Sequence, residues 1–313
     1  MRPILISAAS ALTAALAPPA LSAEDGRIAY VDSFGAASIR EDGSDRKRIT
    51  FDPVDAVFRG IDVSPDGRRL AMGVPKRPEA GYAIATVPAA GGPTQQLSLG
   101  REASEPSWSP DGRRLVFTRC SKFEFTDIEE CVEVGLAVAR DTGAGLRGLV
   151  GDAQSPAWSP DGRTIAFVRP SGSCSRLMTI RSDGRGRRVL ASLGRGRCPG
   201  RPAFSPDGRR LAFSVTFKNR RSAIYTSRAD GRGARRISSV GQFDAAPTWS
   251  PDGRHVAFVR GKRGTAPAGT AVVSASGRGE RIILLCPDDD PATPGFEPDE
   301  CPAELDWVTR LGD

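Results

Sequence analysis

Large apolar residues alternate with small ones in short runs that recur along the chain. A side-chain period of two is typical of β-strands rather than helices. Segments rich in Gly, Pro and Asp bound these runs, as they bound strands in all-β domains. The clearest runs are Leu115–Phe117, Ile165–Phe167, Leu211–Phe213 and Val256–Phe258. The pattern predicts a domain made of many short strands.

One turn sequence, Ser-Pro-Asp-Gly-Arg, occurs five times and stands directly before such runs. Proline presets φ for the first central turn position, aspartate caps the turn, and glycine supplies the positive φ that follows. The motif therefore predicts a β-hairpin, and its spacings of 45, 50, 46 and 45 residues are in the range of propeller blades. The copies begin at Ser64, Ser109, Ser159, Ser205 and Ser250, and they follow Val63, Trp108, Trp158, Phe204 and Trp249.

A second pair of strands follows the first pair in each repeat, and Asp-Gly turns at Asp183 and Asp230 join two such pairs. Four antiparallel strands make one propeller blade. Two fragments remain at the ends: Ile28–Val31 matches the strand after the turn, and Pro302–Trp307 matches the strand before it. The sequence thus predicts an all-β, six-bladed β-propeller over residues 24–313, whose first blade is closed by strands from both termini.

The repeats resemble the WD40-like (PD40) repeats of TolB-type β-propellers. The family signature is an aromatic residue, Ser-Pro-Asp-Gly, a basic residue and an apolar strand, which Trp108 to Arg113 reproduce here. The resemblance covers the chain after Ala23 and implies the fold. TolB itself carries an α/β domain before its propeller and works with a peptidoglycan-associated lipoprotein; since the first predicted strand follows residue 23 almost directly, we expect this chain to lack that domain. Similar propellers also occur in serine peptidases and sugar lyases, so the fold does not fix an activity.

Residues 1–23 have the pattern of a signal peptide. Arg2 precedes an apolar stretch from Pro3 to Leu16, and Leu21-Ser22-Ala23 offers a small-residue cleavage site before Glu24. The stretch is too short to span a bilayer comfortably. We therefore expect a secreted or periplasmic protein without a transmembrane segment.

Cysteine usage agrees with export to an oxidising compartment. The chain has no CxxC pair, and its single histidine, His255, lies far from every cysteine, which disfavours a zinc site. Six cysteines allow fifteen pairings, and we expect three local disulfides. The neighbouring couples are Cys120 with Cys131, Cys174 with Cys198, and Cys286 with Cys301.

The formal net charge is +7, and 39 of the 44 basic residues are arginines. One interpretation is the codon bias of a GC-rich genome; the other is an anionic partner, because guanidinium groups bind carboxylate and phosphate bidentately. Aromatic residues make up only 6% of the chain and form no obvious run that would stack on bases, so no nucleic-acid partner is expected. Propeller topology places the Ser-Pro-Asp-Gly-Arg and Asp-Gly turns on one face, so we expect a disc with one basic face and longer, more acidic loops opposite.

Candidate chemistry is sparse. A serine hydrolase would need a Gly-x-Ser-x-Gly elbow, which is absent, and a histidine base, whereas His255 is expected in a surface turn. No catalytic residue is therefore assigned. The weak metal candidates are Asp288, Asp289 and Asp290, which offer oxygen ligands for calcium; the alternative is a solvated loop closed by a disulfide. No other cofactor is expected.

Partner binding is expected on exposed loops of the rigid scaffold. Phe123 and Phe125 lie in the segment between Cys120 and Cys131, where exposed aromatic side chains would anchor a partner. Arg113 and Arg209 are candidates on the basic face. The repeated tryptophans are interpreted as core residues rather than as a carbohydrate-stacking surface.

These features predict an exported, monomeric, non-enzymatic propeller that binds a protein or an envelope polymer. The alternative is an extracellular metal-assisted lyase or hydrolase acting at the propeller channel. The enzyme should bring several acidic residues and an Arg or Tyr together at one channel mouth. The binding module should leave that mouth chemically bland.

Overall fold

A computed structural model shows six four-stranded antiparallel sheets in the described part of the chain, which confirms the all-β, six-bladed prediction. The residues described are 27–32, 35–50, 58–76, 81–100, 102–125, 129–191, 193–194, 196–239, 243–261, 267–285 and 304–307, some of them by their backbone alone. Within these residues, no helix is long and apolar enough to cross a membrane.

Each blade runs from an inner strand beside the central channel to a short outer strand. Blade 1 consists of β24 (Glu304–Trp307), β1 (Arg27–Asp32), β2 (Gly35–Arg40) and β3 (Lys47–Arg48); blade 2 of β4 (Ile61–Val63), β5 (Arg69–Pro75), β6 (Tyr82–Pro88) and β7 (Gln95–Gln96); blade 3 of β8 (Ala103–Trp108), β9 (Arg114–Phe125), β10 (Glu129–Arg140) and β11 (Arg147–Gly151). Blade 4 consists of β12 (Gln154–Trp158), β13 (Thr164–Ser171), β14 (Cys174–Arg181) and β15 (Arg188–Ala191); blade 5 of β16 (Arg197–Phe204), β17 (Arg210–Phe217), β18 (Ser222–Arg228) and β19 (Arg235–Arg236); blade 6 of β20 (Phe243–Trp249), β21 (His255–Gly261), β22 (Pro267–Ser274) and β23 (Arg281–Leu285).

The first and last described strands belong to one sheet. Inner strand β24 pairs antiparallel with β1, and Trp307 lies opposite Ile28 in the register. Blade 1 therefore combines strands from opposite ends of the sequence. Its neighbours in the ring are blade 2 and blade 6, because β24 lies beside both β4 and β20.

The core lies between neighbouring blades rather than within any one of them. One cluster joins Ala71 and Ile84 of blade 2 to Trp108 and Phe117 of blade 3. A large, fully buried side chain occupies the same place in the second strand of all six blades, and burial of each adds about 2–3 kcal/mol. These six residues are Tyr30, Met72, Phe117, Phe167, Phe213 and Phe258.

Each of the five Ser-Pro-Asp-Gly turns has the same pattern of internal hydrogen bonds. In blade 4 the Ser159 hydroxyl donates to Asp161 Oδ1 at 2.6 Å and accepts the backbone N–H of Thr164 at 2.9 Å. The N–H of Arg163 donates to the same carboxylate at 3.0 Å, and Gly162 has φ +70°. Serine and aspartate thus satisfy the turn's donors, and glycine supplies the left-handed backbone that the geometry requires.

The two tight turns of each blade lie on the same face, as the topology predicts. In blades 2 to 6 a backbone N–H of the outer turn donates to a carbonyl of the Ser-Pro-Asp-Gly-Arg turn at 2.7–3.0 Å. We call this side the turn face and the opposite side the cysteine face. The acceptor carbonyls belong to Arg68, Arg113, Arg163, Arg209 and Arg254.

The aspartates of these turns should make the fold less stable in acid. Hydrogen bonds from Ser159 and from the Arg163 N–H hold the pKa of Asp161 below its ordinary value of 3.8. A depressed native pKa stabilises the fold above the unfolded-state pKa, and that contribution disappears as pH falls through the native pKa. We therefore expect Asp161→Asn to be less stable than the wild type at neutral pH, with the gap narrowing in acid, where both side chains are neutral. Urea unfolding followed by tryptophan fluorescence across this pH range tests it; a gap independent of pH would contradict it.

Two disulfides lie toward the cysteine face, and both match couples expected from the sequence. Cys120–Cys131 closes the hairpin of β9 and β10, whereas Cys174–Cys198 joins β14 of blade 4 to β16 of blade 5. The second bond therefore crosses a blade boundary. Cys286 and Cys301 lie outside the described residues, so their pairing stays a prediction.

Candidate functional site

A cavity opens at the turn-face mouth of the central channel, with a volume of about 180 Å³. We call it the vestibule. Its wall repeats around the ring, because the inner strands of blades 2 to 6 each contribute their last residues and the proline of the following turn. The lining residues are Ile61, Asp62, Val63, Pro65, Pro106, Ser107, Trp108, Pro110, Pro156, Ala157, Trp158, Pro160, Arg201, Pro202, Ala203, Phe204, Pro206, Pro247, Thr248, Trp249 and Pro251.

Prolines are the commonest residues in this wall. Inner strands are sheet edges, and proline is tolerated there because it cannot donate a ladder hydrogen bond. At four positions two residues before the repeat aromatic residue, a proline, which has no backbone N–H, places its apolar ring in the wall. The four are Pro106, Pro156, Pro202 and Pro247.

The strand register shifts just before all four prolines, and at three of the shifts the residue before the proline has a positive φ. Glu105, Ser155 and Ala246 have φ of +53°, +52° and +48°, and the strand register shifts at the same places. Side chains bridge the blades at one bulge: the Ser155 hydroxyl donates to Glu105 Oε1 at 2.7 Å, and Thr118 Oγ1 donates to Glu105 Oε2 at 2.7 Å. The left-handed backbone at these non-glycine positions is held by neighbouring blades.

The aromatic residues of the repeat serve both the core and the vestibule. Trp108, Trp158 and Trp249 are buried, with at most 7% of each exposed, yet each lines the cavity. Two of their indole N–H groups donate to the preceding blade: Trp249 Nε1 to the Ala203 carbonyl at 3.1 Å, and Trp108 Nε1 to that of Asp62 at 3.3 Å. Their burial agrees with the interpretation of these tryptophans as core residues. Trp307 is described by its backbone alone.

Arginines lie over these rings from the previous blade. Arg69 lies 4.6 Å from the ring centre of Trp108, and Arg210 lies 4.5 Å from that of Trp249. Arg210 also donates to the Gly253 carbonyl of the next turn at 2.7 Å. Arg114 lies over Trp158 in the same way, at 5.1 Å. These three arginines, expected on the basic face, thus join neighbouring blades through cation–π contacts.

A second set of arginines joins the outer turns. Arg147 donates to the Ser182 carbonyl at 3.0 Å, Arg235 to that of Ala275 at 2.9 Å, and Arg281 to that of Glu41 at 3.3 Å. Each stands seven residues after the last residue of the preceding strand, so the interaction repeats with the blades. Neither arginine role is visible in the sequence, because only the packing of one blade on the next creates it.

The polar groups of the vestibule are few. Arg201 of blade 5 reaches across the channel, and its Nη2 lies 3.4 Å from the Ile61 carbonyl of blade 2, three places away in the six-membered ring. The Asp62 carboxylate accepts the backbone N–H of Trp108 at 2.5 Å. Within the lining residues described here, Arg201 and Asp62 are the charged ones. The mouth thus presents proline and aromatic surface around one guanidinium and one hydrogen-bonded carboxylate.

The candidates predicted from sequence do not converge on this vestibule. Arg113 and Arg209 lie exposed in turns on the turn face. Phe123 and Phe125 belong to β9, where Phe123 pairs with Cys131, but their side chains are outside the described part. Asp288, Asp289 and Asp290 also lie outside the described residues. Their proposed roles stay predictions.

Among the described residues, potential metal ligands cluster at one place, beside the Cys120–Cys131 disulfide. Atoms of Glu102, Cys120 and Cys131 lie within 4.8 Å of one another. The two sulfur atoms are bonded to each other in the disulfide. Because metal binding needs the thiolate form, this group does not provide a ligand set.

His255 lies at the start of β21, where the sequence predicts a surface turn. Its Nδ1 is 3.4 Å from Glu41 Oε1 of blade 1, and the side chain is 33% exposed. Arg281 binds the same carboxylate at 3.0 Å. The histidine is thus part of the contact between blades 6 and 1.

Comparison with known proteins gives consistent results for the fold. Residues 150–285 match the family model described as PD40, the TolB beta propeller domain. No curated protein sequence is significantly similar to the chain.

Solved structures with the same architecture include TolB from Acinetobacter baumannii, which is 17% identical, with a TM-score of 0.71 over 91% of this chain and 67% of that one. A TolB-like protein from Agrobacterium tumefaciens is 19% identical, with a TM-score of 0.65 over 82% and 87% of the two chains. A chain of a nidogen/laminin complex is 13% identical, with a TM-score of 0.68 over 90% and 98%. With the repeats and the six blades, these findings show that the chain has the fold of TolB-type β-propellers and that residues 150–285 match their PD40 domain.

Proposed function

We propose that this protein is an exported, non-enzymatic propeller that binds an extended segment of another protein in the vestibule. The observation that carries the proposal is the repeated proline and aromatic lining at the turn-face mouth. Concave, mostly apolar sites with a few fixed polar groups are the usual form of a ligand site. A volume of about 180 Å³ accepts a few side chains rather than a folded domain.

The wall also defines how a segment would bind. A partner strand added to an inner strand would need free backbone N–H groups along that edge. The prolines at positions 106, 156, 202 and 247 remove such donors, so recognition would rest on side-chain contacts with proline and tryptophan rings. Arg201 and Asp62 would orient polar groups of the segment at the deeper end.

The alternative function, a lyase or hydrolase at the channel, is less well supported. It requires several acidic groups converging with an Arg or Tyr. The described lining of the vestibule offers one carboxylate, Asp62, which already accepts the Trp108 N–H. The chemistry of this mouth is that of a binding surface.

Export is supported by the disulfides together with the N-terminal pattern of residues 1–23. Two cross-links in the described residues are typical of a secreted or periplasmic protein, because cytosolic thiols are kept reduced. A cleaved protein that begins at Glu24, found by N-terminal sequencing of the extracytoplasmic fraction, would agree with this assignment.

Site-specific photo-crosslinking in the producing cells tests the vestibule. A crosslinking residue at position 160, on the vestibule rim, should capture a discrete protein, whereas one at position 93, an exposed proline elsewhere on the turn face, should not. With the captured partner purified, Pro160→Glu is expected to weaken binding at least about tenfold, since about 1.4 kcal/mol of desolvation penalty suffices for that factor. Pro93→Glu, which adds the same charge on the same face, should leave the affinity unchanged. Equal capture at both positions, or equal loss in both variants, would overturn the proposal.

A further inference from the structure

The arginines of the turn face fall into two groups, and only one of them holds the blades together. Arg69, Arg114 and Arg210 lie over tryptophan rings, and other arginines donate to carbonyls of the next blade. The other group is exposed and makes no side-chain hydrogen bond or ion pair with any described residue. It includes Arg185, Arg187 and Arg188 of blade 4, and Arg209, Arg228 and Arg236 of blade 5.

Positive charge is concentrated in one sector of the face. The turn segments of blades 4 and 5 (residues 161–163, 181–188, 207–210 and 228–236) contain eleven arginines and four aspartates, a formal excess of seven positive charges. In blade 2 the outer turn, residues 88–94, has no charged residue at all. The net charge of the chain is thus unevenly distributed around the ring.

The four aspartates of this sector are already engaged within their own turns. Asp161 and Asp207 accept the serine hydroxyl and an arginine N–H of the Ser-Pro-Asp-Gly motif. Asp183 pairs with Arg181 at 2.8 Å, and Asp230 lies 4.0 Å from Arg232. None of these contacts involves the side chains of the exposed arginines named above, which stay available to a partner.

The exposed arginines also repeat in space. The outer turns of blades 4 and 5 have the same form, Arg-x-Asp-Gly-Arg-Gly, followed by a pair of arginines at 187–188 and 235–236. Both turns have the same backbone bonds, with Arg181 N–H donating to the Arg185 carbonyl and Arg228 N–H to that of Arg232, each at 2.9 Å. The turn of blade 5 abuts the outer strand of blade 4, since a Cβ on Gly231 would lie 2.0 Å from the Leu190 carbonyl oxygen. Three arginines of blade 4 therefore have counterparts one blade away: Arg181 with Arg228, Arg185 with Arg232, and Arg188 with Arg235, of which Arg235 donates to blade 6.

We propose that this sector is a docking surface for a linear anionic polymer, with phosphate or carboxylate groups at regular spacing along its chain. Arginine binds both groups through paired N–H donors. A chain that crosses from blade 4 to blade 5 meets exposed arginines on both outer turns, and two linked contacts bind more tightly than either alone. The site is separate from the vestibule, and it stands whether or not a protein segment binds there.

A polymer fits this surface better than a membrane does. A membrane-binding face combines basic residues with apolar side chains that enter the lipid. The large apolar side chains exposed in the described residues are Val189, Phe243 and Ile282, and all three lie in strands rather than at the tips of the turns. The excess of positive charge is also largest on two adjacent blades, which favours a strip-shaped partner over a plane that would touch the whole face.

The test compares two triple variants of the full-length protein that each remove three positive charges. Arg185→Gln, Arg187→Gln and Arg236→Gln change the proposed surface. Lys218→Gln, Arg220→Gln and Arg221→Gln change exposed residues between β17 and β18, on the cysteine face. The probes are long-chain inorganic polyphosphate, a polyuronate, tripolyphosphate and vesicles of phosphatidylglycerol, with affinity measured at several salt concentrations.

We expect the long polyphosphate or the polyuronate to bind, with the stronger of the two identifying the anionic group. Exposed ion pairs contribute up to about 1 kcal/mol each, so the turn-face variant should lose about tenfold or more in affinity. The cysteine-face variant should bind as the wild type does, and added salt should weaken all binding. Equal losses in both variants would show attraction to net charge alone. Binding of tripolyphosphate as tight as that of the long chain, or tighter binding to vesicles than to either polymer, would also overturn the proposal.

Discussion

Replacing Arg260 with methionine is expected to lower the free energy of unfolding by about 3–5 kcal/mol, because it leaves a buried carboxylate without its counter-charge. Asp244 is fully buried, and its two oxygens lie 2.9 Å and 3.1 Å from Arg260 nitrogens. The Ser238 hydroxyl donates to the same carboxylate at 2.6 Å. Arg260 also binds Glu280 at 2.5 Å. One guanidinium therefore serves two carboxylates between blades 5 and 6.

The pKa values in this cluster also predict how the loss of stability in the Arg260 variant depends on pH. Burial raises the pKa of Asp244, even though Arg260 and Ser238 hydrogen-bond to its carboxylate. Burial also acts to raise the pKa of Glu280, but its hydrogen bonds to Arg260 and Ser239 lower it below its ordinary value. Without Arg260, Asp244 would take up a proton more readily. The deficit of the variant should therefore shrink as pH falls, since the protonated acid is neutral.

A matched control separates burial from ion pairing as such. Arg169 and Asp152 form an ion pair at 3.2 Å whose side chains are 35% and 71% exposed. Arg169→Met is expected to cost about 0–1 kcal/mol, as exposed pairs do. Urea unfolding of both variants at neutral and acidic pH provides the measurement. If both variants lost a similar free energy of unfolding, burial of the Asp244 carboxylate would not be what makes Arg260 important for stability.

Gly231→Ala is expected to cost about 2–5 kcal/mol, by combining a left-handed backbone with a steric overlap. Gly231 has φ +83°, and a Cβ there would lie 2.0 Å from the backbone oxygen of Leu190 in the neighbouring blade. Because that oxygen belongs to the main chain, a rotamer change cannot relieve the overlap. Blade 5 would have to move relative to blade 4.

Gly233→Ala is the control in the same turn. Its φ is +66°, but a Cβ there would meet nothing within 4 Å. We expect a loss of only about 1–2 kcal/mol, the cost of the left-handed conformation for a residue with a Cβ. Thermal and urea unfolding of the two variants give the difference directly. If both variants lost the same stability, the close contact between blades 4 and 5 would be wrong.

The repeat motif explains why so much of the fold is accessible from the sequence. Ser159, Asp161 and Gly162 form their turn through bonds that reach at most five residues along the chain. Such a turn is specified locally, and five copies at a constant spacing fix the blade and its faces. The two described disulfides follow the same rule of proximity, with separations of 11 and 24 residues.

The vestibule was only partly predictable. Proline two residues before the repeat aromatic residue is visible at 106, 156, 202 and 247, but its position beside the channel depends on which strand lies innermost. Arg201 carries no sequence signal of its own. Its guanidinium reaches the Ile61 carbonyl from 140 residues away, and only ring closure brings the two together.

By itself, the sequence determined the all-β class, the blade period and the shared face of the tight turns, because each depends on contacts between residues close in the chain; the two cysteine couples seen here were expected from proximity but fixed only by the structure. The tertiary structure alone decided which arginines hold blades together and which remain exposed, because that division depends on the carbonyls and rings of the next blade. It also decided that Asp244 and Arg260 share a buried site, and that four inner strands bring their prolines and aromatic rings together with a fifth strand around one cavity. These contacts join residues of different blades, and no pattern among neighbouring residues in the chain indicates which residues will meet.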